Sequence, residues 1–118
     1  MKEALQRARE IAEILYEKGA DKIRIIDIAD MTVIADCFVV CSGRSAVQVK
    51  ALCDAVEDKM EEKEVLPARK EGYRPGRWIV LDYLDVLVHI FHEEERAFYD
   101  IERLWSSGQN CFDYPEEA

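Results

Sequence analysis

The residues of this chain whose types and spacing could do chemistry fall in a few short stretches. Ser42-Gly43-Arg44-Ser45 ends an apolar run and opens a helical pattern, the setting of a turn that cradles phosphate on free backbone N–H groups. With a single glycine and no Lys-Ser/Thr behind it, helix capping is the simpler account. Asp82 and Asp85 are neighbouring carboxylates, but a spacing of three within a turn does not aim both at one metal ion. His89 stands alone on an apolar strand, where histidine serves more often as a hydrogen-bonded structural or interface residue than as a base or ligand. His92, followed by Glu93, Glu94 and Glu95, offers weak chelation or, more simply, a helix cap. Cys37 and Cys41 lie roughly 13 Å apart along a strand, too far for one metal ion, and read as small buried hydrophobes. No Cys-His or Ser-His-Asp set emerges. The expectation is a chain without catalysis, cofactor or metal.

The element that must position most of these residues is Trp78 to Phe91, WIVLDYLDVLVHIF. Its two runs, Trp78–Leu81 and Val86–Phe91, are rich in β-branched and aromatic residues, and Asp82-Tyr83-Leu84-Asp85 divides them as a hairpin turn. By strand alternation Trp78, Val80 and Asp82 point one way, and Ile79, Leu81 and Tyr83 the other. Val86, Val88 and Ile90 likewise oppose Leu87, His89 and Phe91. Both faces are apolar, so both must be covered.

Elsewhere the pattern is helix and strand in turn. Leu5, Ala8, Ile11, Ala12 and Leu15 recur at helical spacing over residues 2–18, with Gly19 as the stop. Strands follow at Ile23–Ile28 and Cys37–Cys41. Ser45 with Gln48 forms a capping box for a helix reaching about residue 62, with Val49, Leu52, Cys53, Val56 and Met60 on its buried face. A short extended segment near Leu66–Arg69, containing Pro67, suits a sheet edge. Three acids after His92 favour a helix start, and Phe98, Ile101, Leu104 and Trp105 read as that helix's buried stripe. The sum is an α/β (α+β) fold with a mixed sheet of about five strands, two main helices on one face and a C-terminal helix. One domain spans 1–105, and 106–118 reads as a loose tail. Two helices cover one face, so the other is left partly to the last helix, a loop or another molecule, and a large exposed apolar area marks an interaction site.

Composition narrows the function classes. The chain has 118 residues, 49% hydrophobic and 35% charged, which fits one globular domain. No apolar run approaches the roughly 20 residues that span a bilayer, and the acid-bearing start does not read as an export leader. Cys37, Cys41, Cys53 and Cys111 show no disulfide framework spacing, which suits reduced thiols in a cytoplasmic setting. The net charge of −9, with 25 acids against 16 bases, argues against nonspecific nucleic-acid binding. The one basic cluster, Arg69, Lys70, Arg74 and Arg77, reads as a solvated loop. An acidic surface suits a basic protein partner.

The pattern of the whole chain resembles the ribosomal silencing factor S (Iojap-like) family. The resemblance is carried by Trp78-Ile79-Val80-Leu81-Asp82-Tyr83, by Asp85-Val86-Leu87-Val88-His89-Ile90-Phe91, and by Arg96, Phe98-Tyr99 and Glu102-Arg103-Leu104-Trp105. Asp27, Ala35-Asp36-Cys37-Phe38-Val39, Ser42-Gly43-Arg44-Ser45 and Glu71-Gly72 agree with it. Leu84 departs from it, standing where that pattern leads one to expect glycine in a left-handed turn. The resemblance implies a fold akin to nucleotidyltransferases but without their catalytic carboxylates. It further implies binding to the large ribosomal subunit through a protein of the uL-fourteen family, blocking small-subunit joining and damping translation when nutrients run short. Homodimers are also implied, and organelle relatives act in large-subunit assembly.

On this reading Trp78, Leu81 and Tyr83 are the anchors of a partner-binding patch, since such residues dominate interface energy. Asp82 and Asp85 meet basic groups, and His89, Phe91 and Tyr99 complete it. Three classes stay open at this point: a translation-silencing module, an assembly factor, and a nucleotidyltransferase-like enzyme.

Overall fold

The strand Cys37–Gly43 is buried along its whole length, and the rest of the chain is arranged around it. The computed structural model describes residues 2–116. In chain order its elements are α1 (Lys2–Glu17), β1 (Asp21–Asp27), β2 (Cys37–Gly43), α2 (Ala46–Glu62), β3 (Arg69–Glu71), β4 (Trp78–Asp82), β5 (Val86–His92), α3 (Glu93–Tyr99), α4 (Ile101–Trp105) and β6 (Cys111–Tyr114). The strands form one mixed sheet in the order β3-β4-β5-β2-β1-β6. β2 pairs parallel with β5 and antiparallel with β1. A strand with neighbours on both sides and cover on both faces reads as an unbroken apolar run, as Cys-Phe-Val-Val-Cys does.

α1 and α2 lie together on one face. Ala8, Ile11, Leu15, Leu52, Val56 and Met60 from these helices meet Ile25, Val39, Ile79, Leu81, Val88 and Ile90 from the sheet. Each fully buried aliphatic side chain contributes roughly 1.5–3 kcal/mol, so this layer is the main source of stability. Ser45 caps α2 by accepting the Gln48 N–H at 3.1 Å. The Gln48 side chain turns back one residue further than a standard capping box and accepts the Arg44 N–H at 2.7 Å. The expected hairpin forms with Trp78 opposite Phe91 and Leu81 opposite Val88. Leu84 takes φ +74° in its turn, the left-handed geometry that glycine would adopt without strain.

Three expectations need correction. The sheet has six strands, because β6 forms inside the stretch expected as a loose tail; it pairs with β1, Ile25 opposite Phe112. Residues 117 and 118 of that stretch lie outside the described residues. The edge segment starts later than Leu66, as β3: Pro67 has no N–H to give, and pairing opens with Ala68 N–H on the Asp82 carbonyl at 2.7 Å. The terminal helix is two short helices, broken at Asp100, whose φ is +47°. That break turns the apolar stripe. Ile101 stays buried, whereas Phe98 is 80% and Leu104 74% exposed. No helix of the described residues is long and apolar enough to cross a membrane.

Candidate functional site

The second face of the sheet, away from α1 and α2, is covered unevenly. Ile26, Ile28, Ala35, Phe38, Val40, Phe91 and Ile101 make a small core there, with Trp78, Leu87, Trp105 and Cys111 packed half-buried against it. The loop after β1 and the α3–α4 pair supply this cover, so the chain closes part of the face itself. Arg96 fixes α3 and α4 in place. Its guanidinium, buried, makes two bonds to the Glu102 carboxylate at 3.1 and 3.0 Å and reaches Ser42 Oγ at 3.3 Å and the Asp21 carbonyl at 3.4 Å. Burial alone would raise the Glu102 carboxyl, but hydrogen bonds and charge from Arg96, then Arg24, hold it below its ordinary value.

Along the thinly covered side runs a connected series of aromatic rings. Phe98 meets Tyr99 edge-on at 5.0 Å, and Tyr99 leans on Trp78 at 4.9 Å. Trp78 stacks on Phe91 at 4.8 Å with 26° between the planes. Its indole Nε1–H donates to His89 Nδ1 at 3.1 Å. Phe38 touches His89 at 4.6 Å and Trp105 at 5.3 Å, both edge to face. Offset and edge-on contacts at such distances are the favourable ones, worth about 0.5–1.5 kcal/mol each beyond area burial. His89 is buried, and that burial pushes its imidazole down to about 4, so it is neutral near pH 7. This shelf is apolar, with Tyr99 49% exposed and Trp78 half-buried. Glu93 and Glu94 open α3 and Asp100 ends it, all exposed, with Glu94 paired to Arg77 at 2.8 Å.

The eight residues expected to form one patch separate into three places. Trp78, His89, Phe91 and Tyr99 do come together, although Phe91, with no exposed surface, is the floor beneath Trp78 and not an anchor. Leu81 (0% exposed) and Tyr83 (3%) lie in the core under the helices, on the opposite face from Trp78, as strand alternation requires. Neither offers itself to a partner. Asp82 and Asp85 sit at the hairpin turn with their carboxylates engaged by the chain itself. Asp82 Oδ1 accepts the Leu84 N–H at 2.8 Å, and Asp85 pairs with Arg7 at 2.9 Å. Phe38, Phe98, Leu87 and Trp105 belong to the shelf and were not expected there. One unbroken helix would put Phe98 and Trp105 on a single buried stripe; the break at Asp100 leaves Phe98 exposed and Trp105 half-buried.

The other chemical candidates resolve locally. Ser42 and Arg44 of that turn line a cavity of about 490 Å³ with Asp21, Lys22, Arg24, Glu93, Arg96, Asp100 and Glu102. Arg24 and Arg96 are spent on Glu102, and Arg44 pairs with Asp21. Of the carboxylates beside that turn, Asp21 and Glu102 are held by arginines, and Asp85, the one singled out in the sequence, is at the other end of β2, its carbonyl accepting the Cys37 N–H at 3.1 Å. Seven residues of strand separate the ends, roughly 20 Å. Two clusters, Cys53 with Asp54 and Glu57 and His92 with Glu94 and Glu95, have ligand atoms within 4.8 Å of one another. Glu57 holds Lys70, Asp54 holds the Tyr73 hydroxyl, Glu94 and Glu95 hold Arg77, and His92 Nδ1 caps α3. Burial pushes the Cys53 thiol up to about 12, with Glu57 adding to it. Of the four basic residues in the loop cluster, Arg69, Lys70 and Arg77 are ion-paired within the chain.

Comparison with known proteins adds one consistent result. A family profile described as "Ribosomal silencing factor during starvation" matches residues 1–117. Ribosomal silencing factor RsfS of Bacillus subtilis (strain 168) is 36% identical over 89 residues, 75% of each chain. A crystal structure of a protein from Chromobacterium violaceum superposes with a TM-score of 0.82 at 33% identity over 88% of each chain. One from Bacillus halodurans gives 0.76 at 33% identity, covering 89% of this chain and 95% of that one.

Proposed function

The chain belongs to the ribosomal silencing factor (RsfS) family, and from that premise we propose that it docks on the large ribosomal subunit and obstructs joining of the small one. The contact runs through a protein of the uL-fourteen family, and the consequence is repression of translation under nutrient limitation. The mechanism is steric: no bond is made or broken, and the docked domain fills volume that the other subunit needs. The observation that carries this reading is the aromatic shelf. It offers Trp78 and Tyr99, with Phe98 and Leu104 exposed on the same helical pair, and aromatic anchors of this kind dominate interface energy. The net charge of −9 suits a basic partner seated on RNA, speeding and orienting encounter.

The test is subunit joining measured by sedimentation, with purified subunits, in the presence of the protein. The parent should shift the population to free subunits. Trp78→Ala and Tyr99→Ala should each lower affinity for the large subunit by roughly thirtyfold, the scale of a 2 kcal/mol anchor. Tyr83→Phe, a core change on the opposite face, should leave it unaltered. Subunits that couple normally in the presence of the parent protein would overturn the reading.

A further inference from the structure

His89 is the odd member of the shelf. It is 7% exposed and packs among rings, Phe38 at 4.6 Å and Phe91 at 6.2 Å. Its Nδ1 accepts the Trp78 indole proton at 3.1 Å, so in the neutral ring the remaining proton is on Nε2. That Nε2 is buried and has no hydrogen-bond partner among the described residues. A stranded buried donor is a standing cost, and a leucine or phenylalanine would fill the same space without it. Packing alone therefore argues against histidine at this position. What histidine does there, and an apolar residue cannot, is receive the N–H of Trp78.

Trp78 needs such a restraint. It is the first residue of β4 and half-buried, with one ring face on Phe91 and Tyr99 leaning against it. Stacking fixes the plane of an indole but tolerates sliding and turning within it, whereas a hydrogen bond is directional. We propose that His89 is a positioning residue: it locks the Trp78 indole in one orientation by accepting its Nε1–H, so that the shelf is preformed before a partner arrives. This rests on the shelf being the docking surface. An anchor left free to turn must be ordered during binding, which weakens affinity by about threefold to tenfold.

The experiment uses the full chain with His89→Leu, with His89→Phe as the second apolar variant should leucine fold poorly, and with His89→Asn, whose side-chain oxygen can stand in for Nδ1. Three quantities are read: solvent exchange of the Trp78 indole proton by NMR (assigned with Trp78→Phe), melting temperature, and affinity for purified large subunits. Expected for the apolar variants are indole exchange at least tenfold faster, a melting temperature held or raised, and affinity lowered about threefold to tenfold. His89→Asn should bring exchange and affinity back toward the parent. Unchanged indole exchange in the apolar variants overturns the proposal without any reference to ribosomes. Faster exchange with unchanged affinity also overturns it, provided Trp78→Ala weakens binding. If Trp78→Ala binds as the parent does, the docking surface itself has been misassigned, and the positioning role falls with it.

Discussion

At the scale of single residues, burial decides more than residue type. Trp78, Leu81, Tyr83 and Phe91 are the same kind of side chain to an interface argument, yet Leu81, Tyr83 and Phe91 are core and only Trp78 keeps an open side. Alternation already separated Trp78 from Tyr83. What it could not say is which face the long helices would choose. Leu84 was legible as a position wanting glycine, and its φ of +74° is the reason. His89 has a consequence for pH. Burial lowers its imidazole from 6.5 to about 4, so between these values the unfolded chain binds a proton that the native chain does not. Stability attributable to His89 is therefore intact above about pH 6.5 and falls as pH drops toward 4, by roughly 3 kcal/mol in all. Denaturant midpoints measured from pH 7 to 4 should decline more steeply for the parent than for His89→Leu; parallel declines would contradict the burial argument.

At the scale of elements, helices α1 and α2 and the β4–β5 hairpin were readable because each carries a long, uninterrupted period. The α3–α4 pair was not. A single aspartate at positive φ re-aims the side chains beyond it, and an Asp in the run Tyr99-Asp100-Ile101 gives no warning comparable to a glycine or proline. β6 was missed for a different reason: four residues between polar turns are too few to show alternation, and its pairing with β1 is a long-range event. Arg96 and Glu102 tie α3 to α4, and the same two side chains reach the sheet at Ser42, the Asp21 carbonyl and Arg24. Arg96→Ala should cost about 3 kcal/mol, since it leaves a largely buried carboxylate short of its main partner, and amide exchange in residues 93–105 should rise more than in the core strands. The depressed Glu102 carboxyl adds a sign that can be checked. Its contribution is present above the ordinary carboxylate range and disappears as acid protonates it in the folded chain.

At the scale of the whole molecule, the layering was legible: two helices could cover one face only, and the remaining face is where the aromatic shelf lies. The strand order was not, because a hairpin between β4 and β5 is compatible with several positions for β2. The charge excess of −9 belongs to this scale as well. If the partner surface is basic, association with large subunits should slow severalfold between low and moderate salt while dissociation changes little, as stopped-flow mixing would register. A salt-independent association rate would remove charge from the account of docking.

The β2–β5 seam has one more consequence. These strands lie side by side and parallel, although α2, β3 and β4 separate them along the chain. Phe38 and Trp105 stand on one flank of the seam, Trp78 and Phe91 on the other, and His89 bridges them. A chain in which β2 does not pair with β5 would part Phe38 from His89, while Trp78, Phe91, His89 and Tyr99 keep one another as neighbours on β4, β5 and α3. Trp78, His89, Phe91 and Tyr99 thus form one contiguous stretch of chain, and β2 with α4 adds the outer rings Phe38 and Trp105 to it.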